Sequence, residues 1–141
     1  MREFYLFEIK SEVIKKFHDN YEGLYNVLFD IHYLKSEDIV LGFKIFDSIV
    51  KPMNKELFNQ FIKEKNLSNE SYMCYKDSHT INDFSYNETT KMIINNSHIK
   101  IKSNKNIPSF FYNIRKFRNI FVCDFDNHDY FLLDETCISY F

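Results

Sequence analysis

The sequence predicts an α/β fold of the segregated α+β kind, a largely antiparallel β-sheet flanked by helices, and three observations predict it. An alternating strand pattern at the N-terminus gives way at once to helical periodicity that lasts to mid-chain. The period then drops towards two, in short apolar runs separated by turn residues. Finally, 45% of the 141 residues are apolar and 18% aromatic, including 16 Phe and 10 Tyr, which argues against disorder. A chain of this length buries roughly 68–70% of its unfolded surface and is expected as one domain over 1–141.

The first element is the strand "EFYLFEIK". Phe4, Leu6 and Glu8 face one way and Tyr5, Phe7 and Ile9 the other, so both faces are expected to be covered. Ser11 is the expected N-cap of a helix over "EVIKKFHDN", and Gly23 the expected break before a second helix. Helical pattern continues through "GLYNVLFDIHYL" and "EDIVLGFKIFDSIVKP", with Ser36 as a further cap and Pro52 as a boundary. "NKELFNQFIKEKN" reads as an amphipathic helix with Leu57, Phe61, Phe58 and Ile62 turned inward. "SYMCYK" reads as a strand, and the polar "DSHTINDFSYNETT" as a loop. "TKMIINNSHIKIKS" is a hairpin about Asn95-Asn96-Ser97, since Asn tolerates the left-handed backbone of tight turns. "IPSFFYNIRKF" starts a helix near Pro108 or Ser109. A last hairpin pairs residues 120–125 with 130–134.

Composition narrows the function classes. A net charge of −2 argues against nucleic-acid binding driven by the whole surface. Two glycines leave no Gly-rich phosphate loop, and no serine sits in a G-x-S-x-G elbow, which disfavours nucleotide hydrolysis and hydride transfer. No apolar run reaches the ~18 residues of a membrane span. Glu3, Glu8 and Lys10 interrupt any secretory core. Cys74, Cys123 and Cys137 form no C-x-x-C pair and read as reduced thiols of a cytoplasmic protein.

Three segments carry candidate chemistry. "DFDNHDY" gathers Asp124, Asp126, His128 and Asp129, the residue types of a metal-dependent hydrolase. The spacing fits neither a calcium loop nor a zinc pattern, and Asp and Asn serve turns well. The turn reading is therefore preferred, with Asp124 either paired or at a sheet end. "IRKFRN", residues 114–119, mixes Arg115, Lys116 and Arg118 with an aromatic, as nucleic-acid binders do. The same residues also suit a solvated helix end facing the C-terminal dipole. On the first helix, Val13 and Phe17 lie side by side at i and i+4, with Ile14 and Tyr21 on adjoining faces. That stripe is either core or an apolar ridge for a protein partner.

"FYLFEIKSEVIKKF", then "LFDIH", "IVKPM" and "FFYNIRKFRNIFVCDFDNHDYFLLDE" follow one another in an order, spacing and total length that resemble the sporulation inhibitor of replication (SirA-like) family. The resemblance implies an α/β protein that is not an enzyme, takes no cofactor and acts in the cytoplasm. It implies binding to the N-terminal domain of the replication initiator DnaA, with no direct nucleic-acid contact and a monomer when free. It places the partner surface on the first helix and near the C-terminal hairpin. Carried onto this chain, that surface is Val13, Phe17, Ile14, Lys16, Tyr21 and Glu135. Val13 is smaller than the aromatic side chain expected at its position.

Overall fold

The computed structural model describes residues 1–134, which build one open antiparallel sheet with helices on both faces. β1 (Arg2–Ile9) leads into α1 (Ser11–Lys16), α2 (Tyr21–His32), a 3-10 turn over Ser36–Asp38 and α3 (Ile39–Ile49). β2 (Val50–Lys51) and α4 (Lys55–Lys65) follow, then β3 (Tyr72–Tyr75), β4 (Ser78–Asp83), β5 (Glu88–Ile94) and β6 (Ile99–Ser103). α5 (Phe110–Ile114), β7 (Ile120–Asp124) and β8 (Asp129–Leu133) complete the order. The strands run β3-β4-β5-β6-β1-β7-β8, with β2 pairing β1 at Glu8 and Ile9, beyond the end of β6.

β1 is the spine because its alternation feeds two cores at once. Phe4 and Leu6 point into one, with Phe58 and Ile62 of α4 and Phe110, Phe111 and Ile114 of α5. Phe7 and Ile9 point into the other, with Leu24 and Leu28 of α2 and Ile49 of α3. The two-sided burial expected of this strand follows from that placement. No helix among the described residues is long and apolar enough to cross a membrane.

Four local expectations are corrected. Ser11 is not the cap of α1: Lys10 holds that position, its carbonyl accepts from the Val13 and Ile14 N–H groups, and the Ser11 hydroxyl accepts from the Asn119 amide instead. The break between the first two helices falls at Phe17–Asn20 rather than at Gly23. Asn20 caps α2 by accepting from the Gly23 N–H at 3.0 Å, and a Cβ on Gly23 would lie 2.5 Å from the Asn20 amide. Gly23 therefore makes room for a cap. In α4, Leu57 is 52% exposed and Phe61 half-buried, whereas Phe58 and Ile62 are sealed. The inward stripe continues to Asn66, whose buried amide donates to the Ile62 carbonyl and to Asn113 Oδ1, and that fixes the helix phase.

The fourth correction is the segment read as a loop, which forms β4 and the start of β5. Its inward positions include His79, Glu88 and Thr90, all buried, so polarity hid the period-two pattern. Each is satisfied. The Tyr72 hydroxyl lies 2.7 Å from His79 Nδ1, and His79 Nε2 lies 2.7 Å from Asn59 Oδ1. Asn59 then donates to Asp77, which pairs with Lys55. The fixed acceptor at Asn59 makes Nε2 the protonated nitrogen of His79. Glu88 accepts from the Thr90 hydroxyl and from the backbone and hydroxyl of Ser109.

Candidate partner interface

α1 is pinned at its start and open along its length. The Lys10 N–H donates to the Ile49 carbonyl at the end of α3, and Lys10 Nζ donates to the Asp47 carbonyl. Ile9 donates to the Asn119 carbonyl, beside the Asn119–Ser11 bond. Val13, Ile14, Phe17 and Tyr21 then pack against the second core, and all four are half-buried. Tyr21 lies 5.9 Å from the Phe121 ring. Phe17 is the C-cap of α1 rather than an interior position, but its N–H still donates to the Val13 carbonyl. The one-turn relation of the two side chains is kept. Glu12, Lys15, Lys16 and His18 are exposed around them.

The C-terminal hairpin closes the same end of the sheet. Leu133 pairs with Ile120, next to the Asn119 that holds Ser11. Asp134 thus lies at the α1 end, and Glu135 lies outside the described residues.

The acidic segment sits at the opposite end of that hairpin, where its loop is Phe125–His128, and it does turn chemistry. Asp124 ends β7, 1% exposed, accepting from Arg2 Nε at 2.8 Å and from the Asn127 amide at 2.8 Å. Burial pushes its carboxyl up, but the Asn127 and Arg2 bonds outweigh burial and hold it below the ordinary value. Asp129 accepts from Arg2 Nη2 at 3.1 Å, and Asn106 Oδ1 from Nη1 at 3.3 Å. His128 adopts the left-handed backbone, φ 53°, with its ring 5.4 Å from Phe29. Asp126 is exposed. No group of three His, Cys, Asp or Glu able to hold a metal occurs among the described residues.

The basic segment also lies past its helix, because α5 ends at Ile114. Arg115 lays its guanidinium 5.2 Å from the Tyr112 ring, a cation–π contact within one segment. Cys123 is buried, and burial raises its thiol well above the ordinary value, while Cys74 is exposed on β3.

One surface escaped the sequence reading. α3 presents Val40 at 66% exposure and Phe43 at 61%, with Ile39 and Leu41 also more than half exposed. Phe43 and Phe46 line a cleft of about 340 Å³ with Tyr5, Phe7, Leu28 and His32. The signal was present in "IVLGFKIF", which is apolar at almost every helical phase rather than along one stripe.

No individual curated protein matches the chain. Residues 2–136 match the family model described as the sporulation inhibitor of replication protein SirA.

Proposed function

The chain belongs to the family of the sporulation inhibitor of replication protein SirA, and from that membership we propose a non-enzymatic protein–protein inhibitor that binds the N-terminal domain of the initiator DnaA. It works in the cytoplasm, without a cofactor and without touching DNA. Val13 and Phe17 form the centre of the contact, flanked by Ile14, Tyr21 and Lys16, and Glu135 contributes from the chain's C-terminal side. Inhibition is steric: the occupied domain loses its own assembly contacts.

The observation that supports this reading is the half-burial of the Val13–Phe17 ridge. Each side chain is anchored by the second core yet keeps surface for a partner, the state that suits an interface anchor. A standard contact takes ~800 Å² from each partner, which one helix face and an adjoining sheet end can supply. Lys15, Lys16 and His18 form a rim that sets on-rate and register more than affinity.

Phe17→Ala tests the site. The expected result is an unchanged circular dichroism spectrum with binding to the initiator domain weakened about 30-fold, the equivalent of a ~2 kcal/mol hot spot. Unchanged affinity in the folded variant would remove the ridge from the interface. Lys16→Glu, at an exposed position, separates contact from folding: it should slow association while leaving the melting temperature alone.

A further inference from the structure

The outward face of α3 has its own logic, independent of α1. Val40, Leu41 and Ile45 are exposed by more than a third, and Ile39 and Phe43 extend the apolar surface along the flank above the cleft. These five offer on the order of 500 Å² of accessible surface, the size of the largest patch on a typical monomer and more than half of the ~800 Å² of a standard interface half. Leu34 does not shield this face, because it closes over Gly42 on the inner side, where a Cβ would lie 2.2 Å from its Cδ1.

Charges frame the patch in a self-complementary way. Glu37, Val40, Leu41 and Lys44 follow an i, i+3, i+4, i+7 spacing and share one face of the turn and helix. Glu37 and Lys44 are exposed, and neither makes an ion pair among the described residues. An antiparallel two-fold copy centred between Val40 and Leu41 sets Glu37 of each chain against Lys44 of the other, with the aliphatic residues between them. A two-fold contact needs just this reciprocity.

We propose that a second copy of this chain docks on the exposed face of α3, through an antiparallel α3–α3 contact centred on Val40 and Leu41. This reading departs from the free monomer that the family resemblance implies. The contact lies on the first turns of α3, whereas α1 adjoins its last turn through Lys10 and Ile49. The dimer therefore keeps both α1 surfaces open and presents two of them to its surroundings.

Sedimentation velocity over a concentration series tests it with the full chain and no other partner. The expected result is a monomer–dimer equilibrium that stops at two. Leu41→Glu should leave a folded monomer. Glu37→Lys and Lys44→Glu should each raise the dimer dissociation constant about 10-fold, and the double reversal should recover most of that loss. A monomer at every concentration overturns the proposal, as does open-ended assembly. A dimer indifferent to Leu41→Glu, or a double reversal no better than the singles, overturns it equally. None of these readouts depends on the initiator.

Discussion

His79 shows how much a single buried side chain can carry. It is fully buried, with both ring nitrogens committed to Tyr72 and Asn59, and burial pushes its pKa down to about 4. The unfolded chain takes up that proton near pH 6.5 and the folded chain does not. Stability is therefore full above about pH 6.5 and falls as the pH drops from there towards 4. The 2.5-unit gap, at ~1.4 kcal/mol per unit, is worth up to about 3 kcal/mol. Urea titrations at stepped pH should show this loss. His79→Gln should be less stable at neutral pH yet lose distinctly less between pH 6.5 and 4. Asp124 acts in the same direction lower down, since its depressed carboxyl adds stability that disappears as the pH falls through the acidic range. Its partner Arg2 comes from the far end of the chain, so the sequence left open whether Asp124 was paired or at a sheet end; it is both.

Among the elements, the β3–β4 hairpin tests turn chemistry most directly. Tyr75 pairs with Ser78, leaving Lys76 and Asp77 as a two-residue loop, and Lys76 holds a left-handed φ of 55°. A non-glycine residue is costly there. Lys76→Gly should raise stability by roughly 0.5–1 kcal/mol, read as a higher urea midpoint at unchanged slope. The cation–π contact that the change removes, Lys76 over Tyr75 at 5.4 Å, lies on an exposed strand and offsets little. This hairpin was only half legible beforehand. Its first strand was readable from "SYMCYK", but its second was masked by inward-facing His79 and the polar Ser78, Thr80 and Asn82 around Ile81. Its ladders to β3 and β5, Ile81 in the core and the His79–Asn59 contact with α4 hold that strand in place.

For the molecule as a whole, β1 couples the two faces. Leu6 is fully buried in one core and Phe7 nearly so in the other, on adjacent residues of the central strand. Leu6→Ala should cost ~2–5 kcal/mol. Unfolding followed by far-ultraviolet circular dichroism and by tyrosine fluorescence should still coincide, because neither face keeps its packing once the shared strand leaves. Two separate transitions would mean that the cores fold independently.

The fold class, the two-sided first strand and the last hairpin were legible in the order of residues alone. Each rests on periodicity within a few residues, which sterics and burial read locally. That order also offered Val13 and Phe17 as a pair, since one-turn spacing is local too. Packing across the sheet settled that this pair is half-buried, that α4 turns Phe58 and Ile62 inward rather than Leu57, and that α3 leaves Val40, Leu41 and Phe43 uncovered. Those outcomes depend on which surfaces meet across the sheet, and contacts between residues far apart in the chain leave no periodic trace in either partner.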